Sequence, residues 1–230
     1  ILATLLIFIS CGMVLTVYGI LAKGYDLKQL GKMPLPSTVY DCHGNEIGKI
    51  YGSKLKFIAL NEVSSDFQKA LIIREDVRFY EHKGIDPAGI LRAFYRNVFK
   101  KKREGASTIT MQLARNSFSE LMSQKTLHRK LIEAQLARRI EKEYSKDQIL
   151  EFYINRIFFG SGIYGIENAS LSYFGKKAID MNLSEAAMLA GIIRGPNRFS
   201  PFRNFKAANE QRKTVLGRMH QERVITRNEF

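Results

Sequence analysis

Two glutamates and a run of hydroxyls are the residues of this chain best suited to do chemistry. From Asp66 to Tyr80 the pattern is helical, and Phe67, Leu71, Glu75 and Phe79 recur every four residues, so they share one face. A carboxylate on an apolar stripe is partly desolvated, which disfavours its charged form and suits it to general acid or base work near neutral pH. The plainer alternative is a glutamate at the stripe's edge, paired with Arg74 or Arg78. The second acid is Glu133, in a helical pattern from Lys125 to Tyr144 whose stripe is Ile132, Leu136, Ile140 and Tyr144. Arg129 lies four residues before it and Lys130 three. On spacing alone this reads as surface ion pairs worth about 0.2–0.5 kcal/mol. The sharper reading is an active-site carboxylate held among cations. Between the acids runs Gly105-Ala106-Ser107-Thr108-Ile109-Thr110-Met111-Gln112, followed by the basic residues Arg115 and Lys125. Hydroxyls, an amide and cations together suit a phosphate or sugar site, although a helix start capped by Ser107 or Thr108 has the same composition.

The elements that must position these groups are mostly helical. Ser37–Tyr40 and Ile47–Tyr51 flank the turn-like Asp41-Cys42-His43-Gly44-Asn45 and predict a small β-hairpin. Ser145-Lys146-Asp147-Gln148 is a capping box that opens a helix through Phe152 and Ile157. Ser184 is suited to cap an Ala-rich helix ending before Gly195-Pro196. Gly160-Ser161-Gly162-Ile163-Tyr164-Gly165 matches a dinucleotide fingerprint, but it follows a capped helix rather than a strand, so that reading is rejected. None of His43, His82, His128 and His220 has the spacing of a zinc pair. The fold expected from pattern alone is a mainly α globule with a short β element.

Charge narrows the partners. The net charge is +14, from 36 Lys+Arg against 22 Asp+Glu, and no charged side chain lies between Ile1 and Ala22. That apolar stretch would span roughly 33 Å as a helix, enough for a hydrocarbon core, and predicts a transmembrane anchor over residues 1–22. Lys23 to Pro36 reads as a linker broken by Gly24, Gly31, Pro34 and Pro36. The excess of cations outside the anchor calls for an anionic partner, and the anchor favours a lipid face or a phosphorylated substrate over nucleic acid. The run Lys100-Lys101-Lys102-Arg103 suits lipid headgroups as well as plain solvation. Cys11 falls inside the expected span and Cys42 outside it, so a disulfide framework is excluded.

Taken in order, the segments resemble the peptidoglycan glycosyltransferases of family 51, the monofunctional transglycosylases and the polymerase half of class A penicillin-binding proteins. The resemblance runs from about Ser37 to Phe202. It is carried by Glu75-Asp76-x-x-Phe79-x-x-His82-x-Gly84, then Gly105 to Gln112, then Arg129-Lys130-x-x-Glu133. Lys146-x-x-Ile149-Leu150-x-x-Tyr153-x-Asn155 and Arg194-Gly195-Pro196-Asn197 complete the series. It implies a lysozyme-like, two-lobed glycosyltransferase domain over residues 37–205, with residues 206–230 a helical segment leading to a transpeptidase domain. It also implies the bacterial cytoplasmic membrane as location, with the catalytic domain on its outer side. The implied substrates are lipid II and the nascent glycan, and proteins of cell-wall synthesis are implied partners. Glu75 and Glu133 would be catalytic. Asp76, Phe79, His82, Arg92, Ser107, Thr108, Gln112, Arg115, Lys125, Arg129 and Lys130 would bind substrate. No cofactor is expected to be essential; Mg²⁺ or Mn²⁺ would sit at Glu133 beside the diphosphate. Two positions depart from the family pattern. Met111 stands where a second glutamine is common, and Ile132 stands where a basic residue often precedes the second glutamate. The rival readings are a lytic enzyme cleaving the same glycan and an anchored scaffold that binds anionic wall polymer.

Overall fold

The structure, a computed structural model, describes residues 2–32, 37–50, 57–100, 105–122 and 126–230. In chain order the elements begin with α1 (Leu2–Lys23), a 3-10 turn (Leu27–Gly31), the strands β1 (Ser37–Tyr40) and β2 (Glu46–Ile50), and α2 (Ser65–Glu75). There follow α3 (Pro87–Phe99), α4 (Ile109–Ser117), α5 (Ser119–Met122), α6 (Leu127–Glu143) and α7 (Lys146–Ile154). The last are α8 (Ile166–Phe174), α9 (Leu183–Ile192), α10 (Pro196–Phe199) and α11 (Pro201–Gln221). The fold is therefore mainly helical with one two-stranded sheet among the described residues, as the patterns predicted. The chain divides into two compact units: Ile1–Gly31 with Tyr80–Ile149, and Lys32–Phe79 with Leu150–Phe230.

In the first unit α6 is the central helix, with α1 and α4 packed on it. Leu136, Ala137 and Ile140 of α6 and Ile109, Leu113 and Ala114 of α4 are all fully enclosed. Burying an aliphatic side chain of this size stabilises by about 1.5–3 kcal/mol. Thr126 caps α6 by accepting the amide of Arg129 at 3.2 Å, so the helix starts two residues later than Lys125. Its C-terminal stop is Tyr144, whose extended backbone ends the helical run.

The N-terminal helix is present from Leu2 to Lys23, yet among the described residues no helix is long and apolar enough to cross a membrane. The end of α1 is held by side chains of α6. Tyr18 Oη lies 2.9 Å from His128 Nδ1, Gln135 Nε2 donates to the Leu15 carbonyl at 3.4 Å, and Ala22 is fully enclosed. Arg139 Nη1 donates to the carbonyls of Ala22 and Tyr25. The last turns of α1 thus belong to the packed unit.

In the second unit α9 is apolar on every side, with Ala186 through Ile192 buried, as befits a helix packed against both α2 and α11. Gly191 sets the α9–α11 approach: a Cβ there would stand 2.9 Å from the Gln211 backbone. Asn182, not Ser184, caps α9, with Asn182 and Glu185 forming a reciprocal box. Ser145 and Gln148 form the predicted box at α7, which ends at Ile154, short of Ile157. The hairpin pairs Ser37 with Ile50 and Val39 with Gly48, and is bulged between Val39 and Tyr40; Tyr51 lies outside the described residues. Its turn is tied by Asp41, whose Oδ1 accepts the amides of His43 and Asn45 at 2.8 Å. The side chain and amide of Asn45 hold the Asp41 carboxyl below its ordinary range. The Gly160–Gly165 stretch is a turn with Phe158 bridged to Tyr164 and leads into α8 without a preceding strand, in keeping with the rejection of a dinucleotide site.

Candidate active site

The expected site residues fall into two groups, one in each unit. In the first unit, four come together. Glu133 on α6 is fully buried, with Arg129 Nε 3.0 Å from its Oε1 and Lys130 Nζ 3.5 Å from its Oε2. The Arg129 contact is an ion pair rather than a hydrogen bond, because neither atom has bonding geometry at that distance. Lys130 Nζ also donates to Ser107 Oγ. Burial pushes the Lys130 ammonium below its usual range; the Glu133 charge opposes this, and the neighbouring Arg115 and Arg129 add to it. Glu133 is therefore no surface ion-pair residue, as spacing allowed. It is enclosed between two cations, one of which, Lys130, is itself bonded to a serine hydroxyl.

Ser107 and Thr108 divide the two roles that the sequence left open. Thr108 is the cap of α4: its Oγ1 accepts the Met111 amide at 3.2 Å and donates to the Gly84 carbonyl at 2.7 Å. Ser107 is left to face Lys130. Gly84 is required here, since its φ is +88° and a Cβ would stand 2.7 Å from the Ala137 carbonyl carbon. Its amide donates to His82 Nδ1 at 3.2 Å. One glycine thus joins the His82 loop, the start of α4 and the middle of α6. Gln112 lies buried on α4, Arg115 in the last turn of that helix, and Arg92 on the exposed side of α3. Lys125 lies outside the described residues.

In the second unit Glu75 is the last residue of α2 and is half-buried. The predicted helix through Tyr80 stops there because Asp76 leaves helical geometry. Phe79 is therefore not on the face of Phe67 and Leu71, although it is fully buried in the turn that its amide closes onto the Asp76 carbonyl at 2.9 Å. Asp76 is buried. Arg74, the expected plain partner of Glu75, gives its Nη2 to Gln211 Oε1 at 2.7 Å. Burial pulls the Arg74 guanidinium down from its usual range; the Glu75 charge opposes this, and Arg194 and Arg218 reinforce it. Arg74, next to Glu75 in the chain, thus lies in a field set by further arginines.

One participant escaped pattern reading. Glu141 Oε1 accepts from Thr110 Oγ1 at 2.6 Å and from Lys146 Nζ at 2.7 Å, which ties α4 to the end of α6. Only the charge signs of Glu141 and Lys146 hinted at this. Asn155 closes on the backbone of Ile58 through both its amide atoms, at 3.0 and 2.9 Å, so that position is a clamp. Ile132 is buried, so its side chain serves packing, and the cations on Glu133 come from the preceding turn.

For a divalent ion the donor set does not fit. Each Glu133 oxygen already faces a cation, and among the described residues no group of three or more His, Cys, Asp or Glu is placed to share a metal.

A family model described as Transglycosylase matches residues 43–220. The chain is 41% identical over 194 residues to penicillin-binding protein 1F of Bacillus subtilis, covering 84% of this chain and 27% of that protein. It is 41% identical over 201 residues to penicillin-binding protein 1A of Escherichia coli, covering 86% of this chain and 23% of that protein. The crystal structure of penicillin-binding protein 1A from Haemophilus influenzae aligns with a TM-score of 0.46 at 21% identity, covering 86% of this chain and 20% of that one. The chain spans about a quarter of the length of the curated relatives it matches.

Proposed function

The chain belongs to the transglycosylase family of peptidoglycan glycosyltransferases, and from that premise we propose that it polymerises lipid II. The growing, lipid-linked glycan is transferred to the GlcNAc 4-hydroxyl of an incoming lipid II. The single observation that carries the reading is the enclosed Glu133 with its cations and Ser107. That set suits a diphosphate leaving group and has no use in a purely lytic site.

In the proposed reaction Glu75 takes the proton of the acceptor 4-hydroxyl as that oxygen bonds to the donor's anomeric carbon. The bond from that carbon to the undecaprenyl pyrophosphate breaks, and the electron pair leaves on the phosphate oxygen. Configuration inverts from α to β, with a sugar hydroxyl in the place water takes in an inverting glycosidase. Arg115, Lys125, Arg129 and Lys130 stabilise the departing charge, and Glu133 orients the last two. Ser107 positions Lys130, while Thr108 and His82 hold the surrounding loops. Asp76, Phe79, Arg92 and Gln112 complete the substrate contacts. No step is routed through a metal.

The reading extends to a lysozyme-like, two-lobed domain anchored by a single pass in the bacterial cytoplasmic membrane, with the catalytic part outside. Its support is the uncharged run to Ala22 and the +14 charge beyond it. Purified chain with labelled lipid II is expected to yield β-1,4 polymer and free undecaprenyl pyrophosphate. Shortening of preformed glycan without polymer would sustain the lytic reading, and binding without turnover the scaffold.

A further inference from the structure

Beside its motif residues, the second unit carries an open cleft of about 420 Å³ formed by α8, α9 and the start of α11. One wall is aromatic and fixed in advance. The Tyr173 hydroxyl donates to the Phe159 carbonyl at 2.9 Å and lies 3.1 Å from Ser200 Oγ, so its ring is set before anything binds. Phe202 lies against that ring, with centroids 4.7 Å apart. Asn204 leaves helical geometry and breaks α11 between Phe202 and Phe205; its Oδ1 then accepts the Ala207 amide at 3.0 Å and restarts the helix. Both phenyl rings line the cleft, and they remain 64% and 63% exposed. Two exposed rings lining one cleft, one of them against the fixed Tyr173 ring, form a patch rather than scattered apolar residues.

The polar side of the cleft is cationic. Arg212 Nη1 donates to Ser184 Oγ at 2.8 Å, while its Nε is enclosed without a hydrogen-bond partner. The one carboxylate lining the cleft, Glu185, is engaged by Lys176 at 3.0 Å and by the Asn182 amide. Arg203 and Lys206, both exposed, flank the two phenyl rings in sequence. A flat apolar ring beside hydroxyl and guanidinium donors matches a pyranose, whose C–H face stacks while its hydroxyls and carboxylates accept. A peptide strand would need a free sheet edge, which these helices do not offer.

We propose that this cleft is a second carbohydrate site, one that takes a β-linked amino-sugar oligosaccharide bearing carboxylates. The choice of an amino sugar rests on the polymerase reading; the cleft itself does not. The probes are a soluble GlcNAc–MurNAc tetrasaccharide and the neutral GlcNAc tetrasaccharide of equal length, titrated calorimetrically into the chain. The acidic tetrasaccharide is expected to bind saturably and at least about 10-fold more tightly than the neutral one. Phe205→Ala, at an exposed position, should weaken it about 10-fold or more with the melting temperature unchanged. Arg212→Gln should erase the preference for the acidic probe. Initial polymerisation of lipid II by Phe205→Ala should match the parent chain. Equal affinity of parent and Phe205→Ala, equal affinity for the two probes, or binding only to anionic phospholipid vesicles overturns the proposal. Absence of polymer from the parent chain would sink the polymerase reading, while tetrasaccharide binding lost with Phe205 would still stand.

Discussion

Glu133, in the first unit, is wholly enclosed with a cation against each carboxylate oxygen, whereas Glu75, in the second, ends a helix half-buried beside an arginine already given to Gln211. A carboxylate engaged on both oxygens serves as a fixed counter-charge. Under the proposed mechanism it would hold Arg129 and Lys130 in place for a diphosphate and so avoid reorganisation when charge develops. Under the proposed mechanism the half-buried carboxylate at the helix end is the one that takes the proton of the acceptor hydroxyl. The proposed roles therefore separate organising from reacting, and each is tested on its own.

The largest expected effect is kinetic. Glu75→Gln removes the proton acceptor and should lower the polymerisation rate by about 10²–10⁴-fold with little change in thermal midpoint. A near-parental rate in a quantitative lipid II assay would remove Glu75 from the reaction. Glu133→Gln should act on both quantities, because it leaves two cations crowded without a counter-charge. The expected loss of stability in urea unfolding is roughly 3 kcal/mol, at the low end for breaking a buried pair because Lys130 retains contact with water. If Glu133→Gln lost activity alone, the contrast between the two acids would collapse. Glu141→Gln should cost about 1–2 kcal/mol, since Thr110 and Lys146 keep weaker partners, and it should slow the reaction only through α4. A loss as deep as that of Glu75→Gln would promote Glu141 from support to chemistry.

The smallest effect shows most clearly at alkaline pH. Burial, with the Asp147 carboxylate that accepts its hydroxyl at 3.1 Å, pushes the Tyr80 phenol up to about 12. The folded chain therefore keeps this proton more tightly than the unfolded chain does. Its contribution is whole below the unfolded value of about 10 and is lost as pH rises through 12. Tyr80→Phe should flatten the fall in stability over that window, as followed by circular dichroism, and lower stability slightly at neutral pH, where the bond to Asp147 is lost.

Periodicity sufficed for the helical class, the hairpin and the stripe of α6, because alternating and four-residue patterns are local. It left Glu133 between two readings because one residue's offset from a stripe does not say how deeply the fold buries it. It ran α2 on to Tyr80 because the break at Asp76 is a backbone event with no proline or glycine to announce it. The choice between Ser107 and Thr108 as cap turned on the Gly84 carbonyl, more than twenty residues away in sequence. Ile132 was legible as a departure from the family pattern, but only packing shows that its position faces the core.

Arg139 reaches from α6 to the carbonyls that end α1, six residues beyond Glu133 on the same helix. Tyr18 and His128 join the two helices nearer the start of α6, and Tyr144 Oη donates to the Leu27 carbonyl near its end, at 3.2 Å. Contacts on either side of Glu133 thus fasten α1 and the turn after it to the helix that carries this acid, so the N-terminal segment is part of the scaffold around it.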